Sequence, residues 1–384
     1  MALVLLEVRG FRPIDELRLD LDPEANYLFG PNGSGKTSLL EAIHYVATGR
    51  SFRTRRDGDL LRFGAELLSV TAEDARGRVG RLVSDGREKR FELDGRQFSR
   101  LSEFFGWLPV VPLLLSDLEL VSGPPARRRE YLDMAGAKVD QDHIRLLNDY
   151  RRVLAQYCRL LELSRVGEQL EAWEMQVARC GALLTRRRAS VAASLLKRAS
   201  ELSEGLLGRR IEYEFRSCIG SAHTDRSDRA AGEEPDRSLL EQDARPNPGE
   251  AGDDSTGMLR EKLVASRKQA AETGYAVVGP HRDEVVVRLD GRELRRFGSV
   301  GEQRAAATAL RLAEADYLRR HAGQSPVFLM DEIASELDAV RSAALFEQAG
   351  RSGQIIYAAA RPFQAAGRLF EIDNGKARQI QTTG

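Results

Sequence analysis

Cysteine is scarce in this chain, and the few cysteines form no pattern. The 384 residues contain three cysteines and five histidines, and neither set has the spacing of a metal site or of a CxxC pair. We therefore expect no disulfide framework and no structural zinc, and a protein that works in the reducing cytoplasm.

An excess of charge is also missing, because 58 lysines and arginines balance 58 aspartates and glutamates. A chain with a large positive excess would be expected to bind nucleic acid or anionic membranes over much of its surface. Any surface that binds a polyanion must here be local.

Long apolar runs are absent as well. The longest, near Trp107–Leu115, is far below the roughly 20 residues that cross a bilayer. The first segment, Met1–Phe11, carries Glu7 and Arg9 and lacks the pattern of a signal peptide. Because 42% of the residues are hydrophobic, the chain can bury a core, and its length suits two or three domains without a membrane partner.

What the chain does contain is a clear hydrophobic periodicity that changes along its length. Near the start, period-two alternation predicts paired strands around a turn at Gly10–Pro13, then a strand at Ala25–Phe29 and an antiparallel sheet between Glu66 and Leu93. Two helical stripes in the middle predict a compact helical lobe. They comprise Leu147, Tyr150, Leu154, Tyr157, Leu161 and Leu170, Trp173, Val177, Cys180, Leu184.

The second half of the chain begins with a segment of low complexity. Residues 221–254 are polar and acidic, which predicts a flexible surface insertion. After it, strands are predicted at 275–278 and 284–289 and a helix at 300–318. Strands and helices then alternate, as expected beside a phosphate-binding loop, at 327–330, 339–349 and 354–358.

The glycine-rich loop has the pattern G-x-x-x-x-G-K-[ST] and stands between a strand and a helix. Its backbone N–H groups can surround a phosphate, Lys36 can reach the β and γ phosphates, and Thr37 can offer its hydroxyl to Mg²⁺. An ordinary glycine turn is the less favoured interpretation. The residues expected to bind ATP are Gly30, Pro31, Asn32, Gly33, Ser34, Gly35, Lys36, Thr37 and Ser38.

Far downstream, the apolar strand at 327–330 ends in Asp331 and Glu332. Asp331 is expected to hold Mg²⁺, directly or through water, and Glu332 to orient or deprotonate the attacking water. Glu332 and Lys36 are thus the predicted catalytic residues. The alternative, a strand that simply ends in charged residues, is less favoured because of the glycine-rich loop.

Two further segments allow two interpretations each. Phe297–Arg304 opens a helix with a serine hydroxyl and free N–H groups, which is typical of a capped helix or of a second phosphate site that implies a second subunit. After the loop helix, an arginine cluster can bind DNA phosphates or be a solvated basic loop. It comprises Arg50, Arg53, Arg55 and Arg56.

The order of glycine-rich loop, Ser-x-Gly-x-Gln segment and Asp-Glu strand resembles the ABC ATPases, and several details resemble the RecF family. The similar segments are 48–54, 117–121, Arg127–Arg129, Gly279–Asp283, 297–304 and 331–338. This resemblance implies an α/β, ABC-type P-loop ATPase head with a mixed or antiparallel β subdomain and an inserted helical arm domain. The implied boundaries are 1–115 and 266–384 for the head and 116–265 for the arm, with the insertion at about 221–254.

The resemblance also implies a mechanism and partners. ATP would drive formation of a homodimer in which Ser299, Gly301 and Gln303 bind the partner's nucleotide, with Ser335–Asp338 as the D-loop at the interface. Members of this family bind DNA at gaps and at junctions between duplex and single strand, and help to load the RecA recombinase with the mediators RecO and RecR. A weak, DNA-stimulated ATPase is therefore expected.

Two departures from the family pattern bear on hydrolysis. Many family members have Asp-Asp where this chain has Asp331 and Glu332. The Asp-Glu pair is closer to the usual ABC ATPase pattern, so this chain has the glutamate expected to act as the catalytic carboxylate. Tyr357–Arg361 offers no histidine or threonine to sense the γ-phosphate. We therefore expect slow hydrolysis.

Two alternative functions stay open at this point. An ABC transport ATPase subunit shares the motifs, but it has a much shorter interval between loop and signature than the 263 residues from Lys36 to Ser299 (299 − 36). A small SMC-like DNA tether differs from the RecF family only in having a long coiled coil.

Overall fold

The computed structural model describes residues 2–98, 100–163, 167–219, 254–333, 339–362 and 366–380. The predicted insertion at 221–254 lies outside the described residues except for Asp254. Within the described ranges, no helix combines the length and the apolar character needed to cross a membrane.

Strands dominate both ends of the chain and helices dominate its middle. The first part contains β1 (Leu3–Phe11), β2 (Ile14–Asp20), β3 (Ala25–Phe29), α1 (Lys36–Thr48), β4 (Leu68–Asp74), β5 (Val79–Ser84), β6 (Lys89–Leu93), β7 (Arg96–Phe98), α2 (Leu101–Phe104) and β8 (Val110–Leu113). The middle contains α3 (Pro125–Val139), α4 (Gln141–Glu162), α5 (Glu168–Leu207), β9 (Glu212–Arg216), α6 (Asp254–Ala265), α7 (Arg267–Thr273) and β10 (Glu284–Leu289). The last part contains β11 (Arg292–Glu293), α8 (Leu294–Phe297), α9 (Val300–Ala322), β12 (Val327–Asp331), α10 (Ala339–Ser352), β13 (Gln354–Ala359), β14 (Arg368–Asp373) and β15 (Lys376–Ile380).

These elements form two compact units. The first comprises Met1–Ser122, Arg198–Ile211 and Leu289–Gly384, and the second comprises Gly123–Lys197 and Glu212–Arg288. This division differs from the predicted boundaries in two ways. Residues 266–288 belong to the second unit, with the helices, and the end of α5, from Arg198 onward, belongs to the first unit. The pairing of β9 with β10 accounts for the first difference, since Glu284 lies opposite Arg216 and Arg288 opposite Glu212.

Two six-stranded sheets build the first unit, and they confirm the predicted α/β class. One sheet is antiparallel, in the order β2-β1-β4-β5-β6-β7, and the other has the order β15-β14-β3-β13-β12-β8. In the second sheet β14, β3, β13, β12 and β8 are parallel and β15 is antiparallel. Helix α1 contributes Leu39, Leu40 and Ile43 to the core that both sheets share, because these residues recur at helical spacing.

The side chain of Gln354 joins the two ends of the chain within the first unit. Its Oε1 accepts a hydrogen bond from the Leu3 N–H at 2.8 Å. Its Nε2 donates to Leu3 O at 2.8 Å and to Asp22 O at 2.6 Å. Together with the parallel pairing of β3 and β13, this contact confirms that both chain ends build one domain.

The second unit has a core made by the predicted helical stripes. Tyr150, Tyr157 and Leu161 from α4 pack in one buried cluster with Val177 and Leu184 from α5. Beside this core lies a buried ionic network. Its centre is Arg188, whose guanidinium donates to the Asp133 carboxylate at 2.8 and 2.7 Å and to Asp283 at 3.2 Å.

The segment Gly279–Asp283 is structural. Tyr150 donates its hydroxyl to His281 Nδ1 at 2.7 Å, and His281 Nε2 donates to Ala276 O at 2.8 Å. Burial lowers the pKa of His281 to about 4, so the ring is neutral. His281 is thus a half-buried histidine with a structural role.

The strand predicted at Tyr275–Val278 is wrong. Helix α7 ends at Thr273, its C-cap Gly274 has φ 73°, and the residues from 275 to 279 form no strand. The carbonyl of Ala276 is used by His281, and the Ala276 side chain is buried in the helical core. Local tertiary contacts therefore override the alternating pattern.

Candidate nucleotide site

The glycine-rich loop leaves the end of β3 and enters α1 at Lys36, as predicted. Gly30, Gly33 and Gly35 all have positive φ, of 154°, 82° and 111°, a region that favours glycine. A Cβ on Gly30 would lie 2.1 Å from Ile372 O on β14. The neighbouring strand therefore leaves room only for glycine at this point of the loop.

Lys36 folds its side chain into this loop. The residue is only 5% exposed, and its Nζ donates to Gly30 O at 2.8 Å and to Pro31 O at 3.0 Å. Within the described residues, the buried Ser34 Oγ has no hydrogen-bond partner. The Lys36 ammonium group can exchange these two carbonyl oxygens for phosphate oxygens, and a phosphate would also give the Ser34 hydroxyl a partner. Both features fit a bound phosphate.

Thr37 and Asp331 meet across 294 positions of sequence. Thr37 Oγ1 lies 3.0 and 2.9 Å from the two carboxylate oxygens of Asp331. Parallel pairing of β3, β13 and β12 produces this contact, because it brings the carboxyl ends of the strands to one edge. Burial and the neighbouring charge of Glu332 raise the pKa of Asp331.

These two oxygen donors fit a magnesium ion. No group of three or more potential protein ligands occurs within the part of the chain that the structure describes. Mg²⁺ is commonly held by one or two protein oxygens and completes its shell with phosphates and water. Thr37 and Asp331 would therefore supply part of the shell of the ion, and phosphate oxygens and water would supply the rest.

Glu332, the predicted general base, has a strained backbone. Its φ is 51°, which costs of the order of 1 kcal/mol for a residue with a side chain. Its N–H donates to Ala358 O at 2.9 Å, so the strain is held by β13. Burial raises the pKa of the adjacent Tyr357, and the charges of Glu332 and Asp331 add to this effect.

Sequence reasoning missed Glu41, a fully buried carboxylate on α1. Arg12 binds it through two hydrogen bonds of 3.0 Å, Ser51 Oγ donates to it, and Arg53 lies 3.5 Å away. A glutamate flanked by Leu39, Leu40 and Ile43 in the sequence was the available signal, because an unpaired buried charge is very costly. Glu41 thus fixes the segment that follows α1.

The four predicted DNA-binding arginines therefore differ from one another. Arg53 faces Glu41, and Arg50 is half-buried. Arg55 and Arg56 are exposed and form no ion pair within the described ranges. Arg55 and Arg56 are therefore the two that are both exposed and without an ion pair in the described part of the chain.

Ser299 caps helix α9 with a capping box. Its N–H donates to Glu302 Oε2 at 2.9 Å, and its hydroxyl accepts from the Glu302 N–H at 3.3 Å. Arg209 donates to Glu302 at 3.1 Å and also contacts Asp290. The capped-helix interpretation of this segment is therefore confirmed, whereas its role as a second phosphate site stays a prediction.

The predicted contact of Gln303 with a partner's nucleotide stays a prediction. The Gln303 side chain is buried and donates to Leu294 O at 2.8 Å and to Gly298 O at 3.2 Å. Ser299 and Gly301 are exposed, as are two apolar side chains beside them. These are Phe297, 70% exposed, and Val300, 59% exposed.

The predicted D-loop, Ser335–Asp338, lies outside the described residues. The segment Tyr357–Arg361, in which no histidine or threonine occurs, begins in the last part of β13. Arg361 follows this strand in an exposed position.

Comparison with known proteins agrees with this geometry. Residues 2–374 match the model of the RecF/RecN/SMC N-terminal domain family. The DNA replication and repair protein RecF of Moorella thermoacetica is 36% identical over 354 residues, which cover 90% of this chain and 86% of that protein. The RecF protein of Symbiobacterium thermophilum is 34% identical over 344 residues, which cover 88% of this chain and 86% of that protein.

A solved structure gives the same result for the fold. The structure of the recombination mediator protein RecF with ATP in the RecFOR pathway superimposes with a TM-score of 0.85 at 24% identity. The match covers 99% of this chain and 98% of that one. The chain belongs to the RecF family, a family of ABC-type ATPases.

Proposed function

We propose that this chain is an ATP-dependent DNA-binding protein of recombinational repair and replication restart. The observation that carries the proposal is the contact of Thr37 with Asp331. It brings the hydroxyl and the carboxylate that Mg²⁺ needs to the mouth of a loop shaped for phosphate. We propose that the site binds MgATP.

Each residue of the site has a distinct part in this proposal. Lys36 would exchange its two carbonyl contacts for phosphate oxygens, and Ser34 would gain a partner for its buried hydroxyl. Asp331, whose pKa burial raises, would be stabilised as an anion beside Mg²⁺. Glu332 would orient and deprotonate the attacking water.

The second half of the proposal is an ATP-induced homodimer. Ser299 and Gly301 lie at an exposed helix start, and one P-loop already serves each chain. The exposed Phe297 and Val300 supply apolar surface of the kind that protein interfaces cover. We propose that this surface binds a second copy of the chain and that Ser299 contacts the nucleotide held by the P-loop of that copy.

The dimer is proposed to bind gapped or junction DNA and to assist recombinase loading. Support comes from relatives named as DNA replication and repair proteins and from a structural neighbour named for the RecFOR pathway. RecO and RecR are the proposed mediator partners, and RecA is reached through them. Hydrolysis is proposed to be slow, because Tyr357–Arg361 offers no histidine or threonine to sense the γ-phosphate. Its stimulation by DNA is proposed from the resemblance to the family.

Sedimentation with ATP, with ADP and without nucleotide tests this function. We expect a dimer only with ATP and Mg²⁺, and tighter binding to gapped duplex in the same sample by fluorescence anisotropy. Equal mass and equal DNA affinity in all three conditions would contradict the proposal.

Two variants separate nucleotide binding from dimer formation. Lys36→Ala should weaken ATP binding by about 10- to 100-fold, since a charged hydrogen-bond donor to phosphate is lost. Ser299→Arg should leave ATP affinity unchanged and prevent dimer formation. Ala172→Arg, an exposed position on α5, is the matched control and should still form a dimer. A Ser299→Arg protein that forms a dimer with ATP would remove the role of Ser299.

A further inference from the structure

The start of α9 holds an anion that belongs to the chain itself. Ser299 presents two donors at this helix start, and both reach the same carboxylate oxygen of Glu302. The Ser299 N–H donates to Oε2 at 2.9 Å, and the hydroxyl donates to it at 3.1 Å. The Ser299 N–H lowers the pKa of Glu302, and the charge of Arg209 adds to this effect. Because helix N-termini attract anions, the carboxylate uses the same donors that a phosphate at Ser299 would need.

Arg209 holds the second oxygen of this carboxylate. Its Nη1 donates to Glu302 Oε1 at 3.1 Å, and its Nη2 contacts Asp290. The Arg209 side chain is 47% exposed and that of Asp290 is 68% exposed. Exposed ion pairs contribute little to the stability of a fold. The contact of Arg209 with Glu302 therefore acts mainly on the position and the charge of the carboxylate.

The backbone that carries Arg209 is fixed on both sides. Before it, Gly208 ends α5 in the left-handed region with φ 69°. After it, the buried Ile211 donates its N–H to Ser203 Oγ at 2.9 Å and accepts from Ser200 Oγ at 2.6 Å. The guanidinium of Arg209 is thus presented from a rigid corner.

A second ion pair ties the end of α5 to α9. Arg198 Nε donates to Asp316 Oδ2 at 2.6 Å, and Asp316 is 4% exposed. The paired residues run in opposite order along the two segments, so the end of α5 is antiparallel to α9. The two ion pairs are 14 residues apart on α9 (316 − 302), which is about 21 Å of helix. The position of Arg209 at the start of α9 is therefore fixed by more than its own contact.

We propose that Glu302 competes with the partner's nucleotide for Ser299, and that Arg209 is a positioning residue that takes over the carboxylate when the dimer forms. A phosphate oxygen replaces Glu302 Oε2 at the Ser299 hydroxyl, and the displaced carboxylate keeps Arg209 at Oε1. This inference rests on the proposed ATP-induced homodimer. It adds a residue outside the predicted signature segment that sets how readily Ser299 becomes available.

Charge explains why Arg209 matters for this exchange. The carboxylate and the phosphate are both anions, so they repel each other when they approach the same hydroxyl. Loss of a donor costs a carboxylate less when a guanidinium still binds it. Arg209 therefore lowers the free energy needed to release Ser299. Asp290 limits this effect, because it shares the same guanidinium.

A purely structural cap would give a different pattern. If Glu302 only stabilised the first turn of α9, loss of its charge and loss of Arg209 would both loosen the helix start. Both changes would then weaken the dimer. Competition predicts opposite signs, because one change removes the competing anion and the other removes the cation that draws this anion away.

Sedimentation velocity at saturating MgATP measures the two signs. Glu302→Gln keeps a capping side chain without the charge. It should lower the dissociation constant of the dimer about tenfold, which is the effect of one charged hydrogen bond. Arg209→Gln should raise the constant by about the same factor. The ATP affinity of the dilute monomer should be unchanged in both, since the glycine-rich loop of the same chain binds the nucleotide.

A double variant tests whether Arg209 acts through Glu302. Arg209→Gln/Glu302→Gln should dimerise like Glu302→Gln, because the carboxylate through which Arg209 acts is gone. Arg9→Gln and Glu16→Gln are the matched controls, since they change the same charges in an exposed pair of 2.8 Å on β1 and β2. Both controls should dimerise like the wild type. All variants should melt close to the wild-type temperature, as expected for exposed ion pairs.

The outcomes separate the competition from the dimer on which it rests. A wild type that stays monomeric with ATP would refute the proposed dimer, and this inference with it. If the wild type dimerises but Glu302→Gln and Arg209→Gln both weaken the dimer, Glu302 is only a cap. Unchanged constants in both variants, or a double variant as weak as Arg209→Gln, would show that Arg209 does not act through Glu302.

Discussion

At the scale of single residues, the nucleotide site is made of groups whose charges are poorly matched without a ligand. Asp331 is half-buried next to Glu332, and both its burial and this neighbouring charge raise its pKa. The nearest compensation is the hydroxyl of Thr37. A dication would remove this mismatch, so stability and Mg²⁺ binding are linked at this carboxylate.

Asp331→Asn tests this link. Because the folded pKa of Asp331 lies above its unfolded value, the buried carboxylate destabilises the protein increasingly as the pH rises through that interval. The variant should therefore melt at a higher temperature than the wild type at pH 7 without nucleotide, and should lose the extra stabilisation by MgATP. Differential scanning fluorimetry measures both. Asp373→Asn, an exposed carboxylate at the end of β14, is the control.

Glu41→Gln tests the missed carboxylate. The change removes the ion pairs with Arg12 and Arg53 and leaves two cations beside a neutral amide. We expect a loss of about 3 kcal/mol in the free energy of unfolding, as for one half of a buried pair. Denaturant titration gives the value. A loss below 1 kcal/mol would show that Arg12 and Arg53 find other partners.

The contrast between Lys36 and Gln303 shows which side chains the sequence can place. The loop around Lys36 is recognisable because its local pattern fixes both backbone and charge. Glu302 joins the cap of Ser299, whereas the side chain of the next residue, Gln303, is turned inward. The two side chains point in different directions because each helical residue is rotated by 100° from the one before it. Which of them faces inward depends on where α9 begins, and the Ser299 cap that sets this start cannot be predicted from composition alone.

At the scale of elements, one polar side chain links β13 to β1 and to the segment before β3. Gln354 makes three hydrogen bonds to backbone groups of Leu3 and Asp22. Because these groups are buried or half-buried, removing the amide would leave them without partners.

Gln354→Leu should therefore lower the free energy of unfolding by about 3 kcal/mol, from two or three unsatisfied polar groups. It should also reduce ATP affinity, because β13 holds β3 against β12. Urea titration and nucleotide binding check the two effects. Gln97→Leu, on exposed β7, should change neither, and a stable Gln354→Leu protein would show that the amide is dispensable.

Element prediction succeeded where periodicity is strong and failed where partners decide. Strand β3 was predicted with its observed bounds, because an apolar run directly before a glycine-rich loop has few alternatives. The boundary of the helical region was placed at 265/266, whereas β10 pairs with β9 and remains with the helices. A pairing of strands whose partner residues are 68 (284 − 216) to 76 (288 − 212) positions apart has no local signal in the sequence.

At the scale of the whole molecule, each compact unit contains one tryptophan. Trp107 is buried in the core of the first unit, where its Nε1 donates to Val46 O at 3.1 Å. Trp173 packs against the core of the second. The two residues can therefore report separately on the two units.

Acid should destabilise the second unit through His281. Its folded pKa is about 4 because of burial, with Arg282, Arg129 and Arg188 as further causes, against about 6.5 in an unfolded chain. The unfolded state therefore binds more protons between these values, and stability falls as the pH drops from 6.5 to 4, by up to about 3 kcal/mol.

Urea unfolding followed by Trp173 fluorescence in a Trp107→Phe protein measures this dependence. We expect the midpoint to fall between pH 6.5 and 4, and His281→Gln to flatten that slope even if it lowers the midpoint itself. His321→Gln, an exposed histidine of the first unit, should keep the wild-type slope. An unchanged slope in His281→Gln would assign the acid sensitivity to other groups.

The order of strands around β3 has a consequence for the biosynthesis of the protein. Strand β3 is translated long before its two neighbours in the sheet, β13 and β14. A nascent or prematurely terminated chain therefore carries the phosphate-binding loop on a strand without partners and lacks Asp331. Such a fragment is expected to leave ATP unbound.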